Sequence, residues 1–98
     1  MTDRVVIIGA GHNGLVAAFY LAKAGLRPLV LERREVLGGA VVTEEFHRGF
    51  RCSTLAHAAG PLVPQVVREL GLERHGLTFI RPDVRVFAPS ADVRATSS

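Results

Sequence analysis

Directly behind the apolar run Val5-Val6-Ile7-Ile8 the chain reads Gly9-Ala10-Gly11-His12-Asn13-Gly14. A continuous β-branched run of this kind fits a central parallel strand buried on both faces. The G-x-G-x-x-G spacing gives each glycine a separate task. Gly9 permits a tight turn out of the strand, Gly11 lets backbone approach a pyrophosphate, and Gly14 lets the next helix pack closely on the strand. Leu15 to Ala24 continues without a breaker, and Gly25 stands where a helix C′ glycine belongs. This helix is apolar nearly all round, so cover on both faces is expected. Its first amides lack intrahelical partners and carry a partial positive charge toward the loop. The backbone amides around Ala10, His12 and Asn13, rather than the side chains, are therefore expected to meet an anion.

Pro28 opens a second strand, Leu29 to Leu31, which ends at Glu32. Strand, turn, helix and strand within about thirty residues make a βαβ unit with a right-handed crossover. Glu32 lies 18 residues after Gly14. A carboxylate there can accept hydrogen bonds from the ribose hydroxyls of an adenosine, and it disfavours a 2′-phosphate. Arg33 and Arg34 follow at once and complicate that inference, because cations there can serve a 2′-phosphate. Beside Glu32, one of them is expected to stack on adenine or neutralise pyrophosphate; the alternative is that both are solvated. Gly38-Gly39 forms a second glycine pair. It is either another backbone approach to a diphosphate or a simple loop turn. Periodicity alone does not separate FAD from NAD.

Beyond Gly39 the pattern weakens. Val41 to Thr43 reads as a short extended piece, and Phe46 to Phe50 as a turn around Gly49. Pro61 to Leu70 reads as a helix, with Pro61 at N1, an apolar stripe of Leu62, Val66, Val67 and Leu70, and Gly71 as its stop. Leu77 to Ile80 and Val84 to Phe87 read as two strands of a short hairpin, joined by Arg81-Pro82-Asp83. Ala88 to Ser98 is a small, polar tail without a hydrophobic period. The fold class expected is α/β: the N-terminal βαβ unit of a Rossmann-like domain with an incomplete parallel sheet, then a helix and a short β-hairpin. The division expected is a dinucleotide-binding unit at 1–40, a partial continuation of the cofactor and substrate region at 41–90, and a tail at 91–98.

Composition narrows the function classes. With 98 residues, 48% hydrophobic and 21% charged, the chain is sized for one small globular domain. Its longest nearly apolar run, Leu15 to Ala22, is too short for a transmembrane helix. Gly9, Gly11, His12 and Asn13 interrupt anything resembling a signal peptide. Both points favour the cytoplasm, and the single cysteine, Cys52, fits a reducing compartment. The net charge of +3 comes from arginines scattered along the chain, without interleaved aromatics. Nucleic acid is therefore not an expected partner, and no metal-ligand spacing is present.

These residues resemble a family. Val5 to Gly39 looks like the extended dinucleotide-binding motif of the glutathione-reductase-type flavoproteins. The closer likeness is to the branch of amine oxidases and phytoene desaturases, in which an E-x-R-x-x-x-G-G element accompanies the phosphate loop; here its residues are Glu32, Arg34, Gly38 and Gly39. Gly39-Ala-Val-Val-Thr-Glu-Glu-Phe, Gly49-Phe-Arg-Cys-Ser and Leu70-Gly-Leu-Glu-Arg-His-Gly-Leu extend the likeness to phytoene-dehydrogenase-like oxidoreductases. They are similar also to the pyridine nucleotide-disulphide oxidoreductase domain-containing proteins.

The resemblance implies FAD as cofactor and a small-molecule substrate whose hydride passes to the flavin. It implies that Gly9, Ala10, Gly11, His12, Asn13, Gly14, Glu32, Arg33, Arg34, Gly38, Gly39 and Ala40 surround the ADP half. Ser53 to His57 would approach the flavin ring, and no catalytic residue is assigned. Ala40 departs from the arginine many relatives carry after the glycine pair, which favours the phytoene-dehydrogenase-like group. Relatives are several times longer, so an N-terminal fragment, inactive alone, is the expectation. Two rival readings stand: an NAD-binding dehydrogenase domain, and a non-catalytic remnant that pairs with a second chain.

Overall fold

The computed structural model describes residues 4–56, 58–60, 62–91 and 96–97. Strand β1 (Arg4–Ile8) and strand β2 (Arg27–Leu31) pair in parallel, with Val5 opposite Pro28 and Ile7 opposite Val30. Helix α1 (His12–Lys23) joins them. Pro28 lies inside β2, as an edge strand can tolerate, since its missing N–H faces away from a ladder.

Helix α1 ends as its sequence predicts. The Gly25 amide donates to Ala22 and the Leu26 amide to Leu21, the paired bonds of a Schellman stop with glycine at the left-handed position. Helix α2 (Pro64–Glu69) ends the same way, through Gly71 to Arg68 and Leu72 to Val67. Its start differs from the expected Pro61, which lies outside the described residues. Pro64 occupies N1 instead, and Val63 before it is extended at φ −70°, ψ 134°. Proline disfavours the helical region for its predecessor, so a helix begun earlier would break there.

The hairpin falls at a different place from the one expected. Strands β3 (Thr43–His47) and β4 (Phe50–Ser53) run antiparallel around Arg48-Gly49. A bulge between Glu45 and His47 breaks the alternation, which is why the two-residue period is hidden in the sequence. Leu77–Ile80 and residues 84–86, by contrast, are not strands. A three-residue hairpin loop needs a left-handed residue near its end. No non-glycine residue described takes positive φ, so Arg81-Pro82-Asp83 does not close such a loop. Instead β5 (Phe87–Ala88) pairs with β6 (Thr96–Ser97), which gives part of the expected featureless tail a ladder.

The predicted burial of the parallel strands is half met. Val5, Ile7, Pro28 and Val30 are half-buried on the side of α1, while Val6, Ile8, Leu29 and Leu31 are exposed, Ile8 at 88%. Among the described residues β1 has β2 as its only sheet neighbour and no second layer covers the far face. Helix α1 likewise contains no fully buried residue. Among the described residues only Ala10 and Val42 count as apolar core. The radius of gyration is 18.1 Å, against about 13 Å for a closed globule of this length.

Candidate functional site

The site is built where β1, α1 and β2 meet. β1 continues one bond past its end, as the Gly9 amide donates to the Leu31 carbonyl at 2.7 Å. Gly9 then turns at φ +102°, a conformation glycine adopts without the strain other residues incur. Gly14 sits against this turn: a Cβ there would lie 2.3 Å from the Gly9 carbonyl oxygen. That clash is with backbone, so helix and strand approach closely only with glycine at this position. Ala10 between them is fully buried.

Gly11 is different. It caps α1 with ordinary extended backbone, φ −75°, and a Cβ would meet only the Gly39 Cα, at 3.9 Å. Among the described residues no steric contact requires glycine there. Helix α1 also starts without a side-chain cap and without an acidic residue in its first turn. Its leading amides are thus unsatisfied by the protein's own side chains, and the helix end carries about half a positive charge. His12 and Asn13, the first two helical residues, are exposed. An uncapped helix start beside a glycine the fold does not need suits a pyrophosphate seated on the backbone.

Glu32 follows β2 and turns back to the loop, where its Oε1 accepts from the Ala10 amide at 3.3 Å. That bond is the main reason its carboxyl is held below the ordinary carboxylate range; the Arg34 and Arg33 amides and the Arg34 guanidinium add to it, against partial desolvation. Glu32 is therefore an anion at neutral pH, able to accept hydrogen bonds and unable to donate them.

The second glycine pair serves the loop in a way the sequence did not reveal. The Gly38 amide donates to the Ala10 carbonyl at 2.8 Å, and Gly38 forms a parallel bridge with Gly11. A Cβ on Gly39 would stand 3.0 Å from the Gly11 Cα. The pair therefore closes the returning chain onto the glycine loop, backbone against backbone, a contact that neither of the two sequence readings included.

Of the two arginines, Arg33 is exposed, whereas Arg34 pairs with Glu44 on β3. Glu44 also accepts from Thr54 Oγ1 at 3.2 Å, so the hairpin is tied to the end of β2. Sequence reading missed Glu44; its signal was an acid opposite an unassigned arginine, and only the hairpin's register brings it close. Ala40 lies in a single 3-10 turn, Gly39–Val41, and is exposed. With His12 it borders an open cleft of about 1030 Å³ whose walls include Ser53, Leu55, Ala56 and Phe79. The cleft is mostly apolar and opens beside the start of α1. His57 lies outside the described residues.

Cys52 is an exposed free thiol on β4. Among the described residues no group of three His, Cys, Asp or Glu side chains could hold a metal, and no helix is long and apolar enough to cross a membrane.

Several known proteins resemble most of this chain. A chain segment of 84 residues is 49% identical to pyridine nucleotide-disulfide oxidoreductase domain-containing protein 2 of Mus musculus, covering 86% of this chain and 14% of that protein. A limonene dehydrogenase subunit of Castellaniella defragrans is 53% identical over 83 residues, which are 82% of this chain and 15% of the relative. The 15-cis-phytoene desaturase of Synechococcus elongatus is 41% identical over 88 residues, 81% of this chain and 19% of the relative. The chain thus spans less than a fifth of the length of these curated relatives. The family described as NAD(P)-binding Rossmann-like domain matches residues 7–70, the stretch that holds the glycine loop, Glu32, the second glycine pair and α2. On that match, which takes in more than half of its residues, the chain belongs to the NAD(P)-binding Rossmann-like domain family.

Proposed function

We propose that this chain binds the ADP half of FAD and that the protein carrying it is a flavin-dependent oxidoreductase acting on a small molecule. The observation that carries the reading is Gly11: a glycine with ordinary φ and free space for a Cβ, at an uncapped helix start. Under this proposal its absent side chain leaves room for a ligand to approach the backbone. In this reading the first amides of α1 hold the pyrophosphate, Gly9 and Gly14 set the turn that aims them, and Glu32 accepts from the ribose hydroxyls. Arg33 and Arg34 flank the adenosine, and Gly38-Gly39 and Ala40 line the far side of the loop. Ser53, Leu55 and Ala56, on the apolar cleft beside His12, are where the rest of the cofactor would extend in this reading.

FAD supplies hydride-accepting chemistry when bound. The chain's own residues supply binding, orientation and charge neutralisation, and none is assigned to proton transfer. FAD is preferred over NAD because after β2 the chain makes the Gly38-Gly39 closure and a hairpin, where an NAD-binding unit predicts another strand and helix.

Difference titration of the full-length protein with FAD and NAD tests this. FAD binding at least about tenfold tighter, worth about 1.4 kcal/mol, is expected. NAD binding as tight or tighter would replace FAD with the nicotinamide reading that the family's description favours. The limonene dehydrogenase relative is named as one subunit of its enzyme, which favours a further reading in which a second chain completes the protein. Co-purification of a second polypeptide with the tagged natural protein tests it.

A further inference from the structure

We infer that Glu44 is a specificity-determining residue, holding Arg34 so that the site accepts an adenosine with a free 2′-hydroxyl and refuses a 2′-phosphate. The inference rests on the dinucleotide reading above and names a residue outside the motif as its gatekeeper.

Arg34 lies two residues past the ribose acid, and its guanidinium is near enough to lower the Glu32 carboxyl. An arginine at this place is the group a 2′-phosphate would use, since its planar fork pairs with phosphate oxygens. Here Nη2 donates to Glu44 Oε1 instead. Glu44 is held in turn, because Thr54 Oγ1 donates to its Oε2 at 3.2 Å and β3–β4 pairing places Glu44 opposite Cys52. Both partners stay partly exposed, with side chains at 47% for Arg34 and 39% for Glu44. The pair is therefore of little use as a source of stability. Its effect is on the ligand. It cancels the charge of Arg34, so a 2′-phosphate dianion would meet the Glu32 carboxylate without a free Arg34 cation to offset it. Arg33 is the remaining nearby cation and has no ion-pair partner among the described residues.

The test is equilibrium binding of ADP-ribose and 2′-phospho-ADP-ribose to the full-length protein freed of bound nucleotide. Wild type is expected to prefer ADP-ribose by at least about tenfold. Glu44→Gln is expected to narrow that ratio at least about fivefold by gaining affinity for the phosphorylated probe, with ADP-ribose binding changed less than about twofold. Glu44→Asp, which keeps the charge, should stay near wild type. The gain should vanish in Glu44→Gln/Arg34→Met. An unchanged ratio in Glu44→Gln overturns the inference, as does a gain that survives loss of Arg34, which would assign the effect to Arg33. Loss of affinity for both probes together with a fall in Tm would make Glu44 structural and also overturn it. A wild type that binds neither probe instead sinks the dinucleotide reading on which the inference rests.

Discussion

At the scale of single residues, the three loop glycines separate by what would replace their missing side chains. Gly14 faces a carbonyl oxygen at 2.3 Å, whereas a Cβ on Gly11 would make only an ordinary contact with the Gly39 Cα, at 3.9 Å. Gly14→Ala is therefore expected to destabilise by about 1–3 kcal/mol through overpacking against backbone. Gly11→Ala should cost no more than about 1 kcal/mol, the exchange of a glycine N-cap for the poorer alanine. Dinucleotide affinity should fall in both, and in Gly11→Ala it should fall with clearly the smaller loss of Tm. Thermal melts beside calorimetric titration of the same variants distinguish the two. A Gly11→Ala protein that binds normally would remove the observation on which the functional reading stands.

Glu32 adds a pH dependence with a definite sign. Its folded pKa is lower than the ordinary 4.5, chiefly because the Ala10 amide donates to it. Its contribution to stability is then complete above that ordinary value and is lost as pH falls through the depressed one. On the proposed function, the charged acceptor for the ribose would be lost over the same range. FAD affinity in wild type should be flat from neutrality to about pH 5 and fall below the usual carboxylate range. Glu32→Gln should bind more weakly at pH 7 and lack that acid limb. Titrations at several pH values, read against Tm, check this.

At the scale of elements, punctuation was the legible part. Gly25 and Gly71 were readable as helix stops because a left-handed C′ residue is a local requirement that glycine meets by itself. The β3–β4 hairpin was not readable, because the bulge after Glu45 breaks the alternation by which strands are recognised. Leu77 to Ile80 misled for the opposite reason: its composition suits a strand, but a strand forms only where a partner completes its ladder. One contact joins elements far apart in sequence, Tyr20 Oη donating to a Glu69 carboxylate oxygen. It tethers α2 to the later turns of α1, away from the phosphate loop. Tyr20→Phe is accordingly expected to speed hydrogen exchange of the α2 amides and leave α1 exchange and FAD affinity unchanged. Equal acceleration in both helices would mean that the contact supports α1 as well.

At the scale of the molecule, uncovered apolar surface dominates. The accessible surface is 8570 Å², where a closed protein of this mass would show about 5,400 Å². Val6, Ile8, Leu29 and Leu31 form one exposed sheet face, and so little burial offers little to offset chain entropy. A polypeptide of residues 1–98 alone is expected to bind the dye ANS and to melt over a broad range. A sharp two-state transition with no dye binding would contradict this.

The glycine loop, the acid at the end of β2 and the helix stops were determined by the sequence alone, because each is a local demand: a turn, a close approach, a left-handed residue. So was the α/β class, which follows from an apolar run, a helical run and a second apolar run in that order. Tertiary structure decided what local chemistry leaves open. It turned Gly38-Gly39 into a clasp on Gly11, since only the returning chain supplies the opposing backbone. It left one face of the parallel strands bare, since burial depends on what lies across from a residue. It also brought Glu44 to Arg34 from 10 residues away, because a hairpin's register, set by pairing and by a bulge, fixes which side chains meet.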